Sequence, residues 1–118
     1  MRPKLHRYTN ISDKLAEYTI RLAVGFQPKS RLEILVGESL APVAEFICKR
    51  IAAYLIKERN GLPWCRLCDK GPFTKRGLYL HLKRIHMEEI KYFIEEELER
   101  ALWRHQNLVG FISSREEG

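Results

Sequence analysis

Cysteine is scarce in this chain, with three in 118 residues. That is too few for the cross-linked framework of a small extracellular domain, so an intracellular protein is expected, in cytoplasm, nucleoid or nucleus. Long apolar runs are also missing. No stretch approaches the ~18 residues of a membrane span, and Met1-Arg2-Pro3-Lys4-Leu5-His6-Arg7-Tyr8 lacks the apolar segment of a signal peptide. No membrane role is expected. The sequence offers no Gly-rich phosphate loop, no nucleophile motif and no pattern for an open metal site. His6 and His105 read as ordinary surface residues near the termini, and the glutamates as a solvated face. Neither catalysis nor a small-molecule substrate is expected. Asn and Gln are few beside Lys, Arg and Glu, which is consistent with a thermophile.

The few cysteines that are present are well placed. Cys65, Cys68, His81 and His86 read C-x2-C-x12-H-x4-H. Two thiolates on a tight turn and two imidazoles one helical turn apart can reach the four corners of a tetrahedron around one Zn²⁺, with sulfur near ~2.3 Å and nitrogen near ~2.0 Å. The histidines fall on a predicted helix, because Leu78, Leu82 and Ile85 recur at spacings of four and three. Four protein ligands leave no position for a metal-bound water, so the zinc is expected to be structural. The third thiol, Cys48, reads as a buried small hydrophobe.

This segment resembles a two-Cys, two-His zinc finger of the ββα kind, over about a fifth of the chain. The resemblance implies that Cys65, Cys68, His81 and His86 are the metal ligands, that Leu78 is the finger's core leucine and that Phe73 is its core aromatic. In this chain Phe73 comes five residues after the second cysteine, one later than usual, because Asp69-Lys70-Gly71-Pro72 intervene. DNA-reading fingers contact bases from helix positions −1, 3 and 6. Those places hold Thr74, Gly77 and Leu80, none of which makes a bidentate base contact. In size, charge and layout the chain is also similar to small single-finger proteins encoded by archaea and their viruses, several of them proposed DNA-binding regulators.

Charge is unevenly spread. Residues 1–60 carry eleven Lys and Arg against six Asp and Glu, residues 61–87 six against one, and residues 88–118 four against eight. The finger's cations are Arg66, Lys70, Lys75, Arg76, Lys83 and Arg84, opposed only by Asp69. Such an excess suits contact with phosphates, which positions a protein on nucleic acid without reading sequence; its alternative is a solvated surface.

Three segments follow: a basic amino-terminal unit at 1–60, the finger at 61–87, and an acidic amphipathic helix and tail at 88–118. The expected class is α+β, with a β-hairpin plus helix unit, the finger, and a long helix continuing from it. A mostly α chain is the alternative, since residues 17–36 fit two periods. Tyr18, Ile20, Leu22 and Val24 alternate as in a strand, as do Leu32, Ile34 and Val36 after a Gln27-Pro28-Lys29-Ser30 loop, with a bulge at Gly25. Yet Ile11, Leu15, Tyr18 and Leu22 recur at helical spacing, and Ser30 with Glu33 would make a capping box.

A helix is predicted from about Leu40 to Arg59, with Val43, Phe46, Ile47, Ile51, Tyr54 and Leu55 on one face. Ser39 is its predicted cap, Pro42 lies in its first turn and Asn60-Gly61 forms its exit. After His86 nothing breaks the finger helix, so one helix is predicted from about Lys75 to His105. Its stripe of Ile90, Phe93, Ile94, Leu98, Ala101 and Leu102 must be buried, either against the amino-terminal unit or in a homodimer through residues 88–105. Trp103 reads as a packing anchor and Ser113 to Gly118 as a frayed tail.

The functional expectation is a zinc-dependent nucleic-acid-binding protein, a DNA-binding transcriptional regulator that grips phosphates with little base-specific readout. Its alternatives are an RNA-binding or ribosome-associated protein, which needs no base-reading side chains, and a protein-interaction module using the long helix.

Overall fold

The structure, a computed structural model, describes the backbone of residues 9–117 and the side chains of residues 11–104. The basic amino terminus, His6 and the side chain of His105 lie outside that range. The elements run α1 (Thr9–Val24), α2 (Leu32–Val36), α3 (Ala41–Leu55), β1 (Ile56–Arg59), β2 (Leu62–Cys65), α4 (Lys75–Ile85) and α5 (Met87–Glu117). The protein is mixed but mostly helical, with one small antiparallel sheet.

The expected amino-terminal hairpin is absent among the described residues, and residues 17–24 belong to α1. The buried side of α1 is Ser12, Leu15, Ala16, Thr19, Ile20 and Val24, a spacing only a helix can bury. Three of those six are small or polar, so the apolar period was hidden, while Tyr18 and Leu22 sit half-buried beside it. Thr19 avoids an unmet hydroxyl by donating to the Leu15 carbonyl at 2.7 Å. Gly25 is the stop of α1 and not a strand bulge. At φ +87°, it lets Phe26 N–H reach the Arg21 carbonyl at 2.8 Å and its own N–H reach that of Leu22 at 3.2 Å, the paired bonds of a left-handed helix end. The Ser30–Glu33 capping box does not form either: α2 starts after Arg31, with no side-chain cap.

Helix α3 is shorter than the periodicity suggests. Leu40 is its N-cap in place of Ser39, Pro42 does sit in the first turn, and the helix ends at Leu55. The next four residues become β1, which pairs with β2 so that Ile56 faces Cys65 and Arg59 faces Leu62. Asn60 and Gly61, at φ 55° and 77°, form the two-residue turn of that hairpin, the conformation that Asn-Gly favours. The hairpin therefore begins inside the segment assigned to the first unit. Phe46 and Tyr54, expected on the buried face of α3, are exposed, and Ala41, Ala44 and Cys48 take the interior with Ile47, Ile51, Ala52 and Leu55.

Nor is there one helix from Lys75 to His105. The helix breaks at His86, whose φ of −116° and ψ of 12° lie outside the helical range. Backbone bonding bridges the break: His86 N–H donates to Leu82 at 3.0 Å, and His86 C=O accepts from Ile90 at 3.0 Å. The bend lets α5 lie across α1 and α3. There it buries Ile90, Ile94 and Leu98, with Phe93 and Ala101 half-buried, each full burial contributing roughly 1.5–3 kcal/mol. Lys91 adds an ion pair to Asp13 at 2.8 Å. Trp103 does not pack on this body, being exposed, and the backbone of α5 stays helical through Glu117. One buried cluster runs through the whole molecule, from Leu15, Ile20 and Ile94 to Leu55, Cys65, Leu78 and Leu82 beneath the hairpin. Among the described residues no helix is long and apolar enough to cross a membrane.

Candidate metal centre

Cys65 ends β2, and the turn after it is fixed by backbone bonds. Asp69 N–H donates to Cys65 C=O, and Cys65 N–H donates to Lys70 C=O, both at 2.8 Å. This knuckle brings the Cys68 thiol round beside Cys65. Asp69, at φ 63°, carries the turn, and its carboxylate pairs with Lys57 and, at 3.0 Å, with Arg59. The one extra residue is accommodated by a close approach: a Cβ on Gly71, at φ +154°, would stand 2.8 Å from the Trp64 ring. Phe73 N–H then returns to the Pro63 carbonyl at 3.0 Å, and its ring stacks on His81 at a centroid distance of 4.8 Å. Phe73 and Leu78 lie beside the site, Leu78 fully buried.

Helix α4 is capped by Thr74, whose hydroxyl accepts from Gly77 N–H at 2.9 Å, and it delivers His81 to the knuckle. His86 arrives from the break between α4 and α5. The ligating atoms of Cys65, Cys68, His81 and His86 lie within 4.8 Å of one another, close enough to hold one metal ion. Cys68 Sγ and His81 Nε2 are 3.2 Å apart, near the ~3.5 Å edge that sulfur and nitrogen span on a metal tetrahedron.

His86 supplies the test of fit. Its Nε2 is buried with no hydrogen-bond partner, an arrangement that costs on the order of 1–3 kcal/mol if left unmet. Its Nδ1 is 2.6 Å from Glu89 Oε1. The carboxylate accepts the Nδ1 proton, which leaves the lone pair on Nε2, the atom beside the thiols. Two thiols and two imidazoles form a soft, closed donor set, and a cation among them would satisfy that orphaned nitrogen. Burial pushes the Cys65 thiol up. Burial opposes ionisation at Cys68 too, but the adjacent His86 ring and the Lys70 backbone bring it below the ordinary thiol value. Burial, with the neighbouring His86, lowers His81. His86 moves upward despite burial, because Glu89 and Cys68 favour its charged form.

The six cations of residues 61–87 differ in their surroundings. Lys83 is half-buried, 3.0 Å from Glu17 of α1 and 3.3 Å from the Tyr79 hydroxyl. Lys75 stands at the carboxyl end of α1, with its Nζ 3.4 Å from where a Cβ on Gly25 would be, a favourable place for a cation. Arg66 lies over the Tyr54 ring at 5.5 Å. Lys70, Arg76 and Arg84 are exposed and make no ion pair among the described residues.

Sequence reasoning missed two members of this region. Glu89 read as part of a solvated face, although its place three residues after a ligand histidine is a usable signal. Arg21 stacks over Tyr79 at 5.1 Å and bonds Glu17 at 2.6 Å, a contact across 58 residues that local pattern does not carry. Against protein-family models, curated proteins and solved structures, the chain matches none.

Proposed function

We propose that this chain is a zinc-dependent nucleic-acid-binding protein, a regulator that holds DNA by its phosphates and reads bases little. In this reading β1, β2 and α4 form a ββα finger, and Cys65, Cys68, His81 and His86 hold one structural Zn²⁺. The two-thiol, two-imidazole set favours zinc, and four ligands leave no place for a reactive water. The observation that carries the nucleic-acid reading is the pair Arg76 and Arg84, exposed and unopposed on α4. Lys70 on the knuckle is likewise exposed and makes no ion pair among the described residues. The three base-reading places argue in the same direction. Thr74 spends its hydroxyl on the helix cap, Gly77 has no side chain, and Leu80 offers only an apolar contact. Phosphate contact without base readout suits DNA and folded RNA alike.

The test is a titration of the zinc-loaded protein against random duplex DNA and structured RNA at two salt concentrations, with zinc content measured on the same sample. Affinity should fall steeply with salt. The double variant R76A/R84A should keep its melting temperature, weaken binding by about tenfold on every sequence and reduce the salt slope by about two. Tighter binding to RNA would assign the second polymer. Binding that is absent at low salt, or indifferent to R76A/R84A, would sink the reading and leave the interaction-module alternative, for which the uncovered aromatics of α3 and α5 are the supporting observation.

A further inference from the structure

The side of the molecule formed by α3 and α5 carries aromatic rings that the described residues leave uncovered. Phe46 and Tyr54 on α3 are 61% and 54% exposed, and Tyr92 and Trp103 on α5 are 52% and 66% exposed. Between the two helices runs a groove of about 490 Å³, lined by Arg50, Tyr54, Tyr92, Phe93, Glu96 and Arg100 among others. Inside it Tyr54 meets Phe93 edge to face at 6.2 Å, and Arg50 bridges to Glu97 at 3.2 Å. Scattered apolar residues are ordinary on a protein surface, but Tyr54, Tyr92 and Phe93 together lining one groove mark a place to be covered.

Charge and spacing decide the occupant. Glu95, Glu96, Glu97 and Glu99 crowd this stretch of α5, with Arg100 and Arg104 following them. A phosphate backbone is repelled here, so nucleic acid does not fit. A second α5 running in the same direction would set glutamates against glutamates. Run in the opposite direction, it sets them against Arg100 and Arg104, and opposite charges facing each other fix orientation. The spacing agrees. Tyr92, Glu96, Arg100 and Trp103 recur at one turn of helix, as aromatic, acid, base, aromatic. Reversed, that order complements itself. A two-fold axis level with Leu98 places Arg100 opposite Glu96, and Trp103 opposite Phe93 beside Tyr92. Self-complementarity of this kind is what an isologous two-fold interface requires.

We propose that the α3–α5 face is the interface of an antiparallel homodimer, in which Trp103 of each copy enters the groove between Tyr54, Tyr92 and Phe93 of the other, and Arg100 pairs with Glu96 across the axis. The buried indole is the anchor and the reciprocal charge pairs set the register. The proposal uses neither Arg76 nor Arg84, so it stands or falls apart from the nucleic-acid reading.

Sedimentation equilibrium of the full zinc-loaded chain, at concentrations from about 1 µM to about 500 µM, should show a monomer–dimer equilibrium with a micromolar Kd. Trp103→Ala removes no core contact and should raise that Kd by about 10- to 30-fold. R100E should also weaken the dimer, and the swapped pair E96R/R100E should recover most of the loss. Thermal melts by circular dichroism confirm that each variant is folded, and Tyr92→Ala gives an independent truncation of the same groove. A monomer at every concentration overturns the proposal, as does a dimer indifferent to both W103A and Y92A. A charge swap that recovers nothing overturns the antiparallel register.

Discussion

Glu89 does for His86 what a pattern of metal donors alone does not specify. By accepting the Nδ1 proton at 2.6 Å, it fixes the ring's tautomer, so that the buried Nε2 faces the thiols with its lone pair free. Carboxylates behind ligand histidines typically contribute 10- to 100-fold in metal affinity. Glu89→Gln keeps the shape of the side chain but loses the anion, and should weaken zinc binding by about tenfold with far-UV circular dichroism unchanged. Competition against a chromophoric chelator reads that change directly, and equal affinity in the two proteins would show that His86 is oriented by packing alone. The four candidate donors were legible at this scale because metal chemistry demands particular atoms at particular spacings. Their support was less so. Glu89 resembles its neighbours Glu88, Glu95 and Glu96 in composition, and only the break at His86 turns it toward the ring.

At the scale of elements, α1 and α4 are held together by a small polar network centred on Glu17. Its Oε2 accepts from Tyr79 at 2.7 Å and from Arg21 at 2.6 Å, and its Oε1 pairs with Lys83 at 3.0 Å. Burial alone would raise the carboxyl, but the hydrogen bonds from Tyr79, Arg21 and Lys83 outweigh it and hold the pKa at about 2, against an ordinary value of 4.5. A carboxyl depressed in the folded state stabilises it fully above the unfolded pKa. That contribution is lost as pH falls from about 4.5 through about 2. Partial exposure reduces its worth to about 1–2 kcal/mol. Melting temperature should therefore fall across that window, and Glu17→Gln should be less stable at pH 7 while losing less on acidification. Parallel melting curves against pH for the two proteins would refute the network's role. Lys83 was read as a free cation because sequence shows charge and not partners. The helical α1 was obscured for a related reason, since Ser12, Ala16 and Thr19 occupy its buried side where pattern reading looks for large apolar residues. Asn60-Gly61 reads as a helix exit and not as the hairpin turn it forms, because the apolar period of α3 runs on into Ile56 and masks the switch from helix to strand.

The molecule as a whole does not treat residues 61–87 as an appendage. Leu78 and Leu82 of α4 and Cys65 of β2 belong to the same buried cluster as Leu15 of α1 and Ile94 of α5, and the carbonyl of Leu55, which closes α3, accepts from Arg66 in the knuckle at 2.9 Å. An isolated finger owes its folding to zinc. Here α4 is held by two fully buried leucines and by the Glu17 network, whereas the knuckle between Cys65 and Phe73 rests on backbone bonds, the surface ion pairs of Asp69, ring contacts and the metal donors. The two parts should therefore respond differently to chelation. Removing zinc should expose the backbone amides of Cys65, Cys68 and Lys70 to rapid hydrogen exchange and lower the melting temperature. The amides of Ile20, Ile51 and Ile94 should remain protected, and the far-UV helical signal should fall by no more than the 11 residues of α4 can supply. Cys68→Ala should reproduce that state without a chelator. Global unfolding on zinc removal would mean that the shared core is too small to stand without the metal, while unchanged exchange in the knuckle would show that the four ligands hold no ion on which the fold depends.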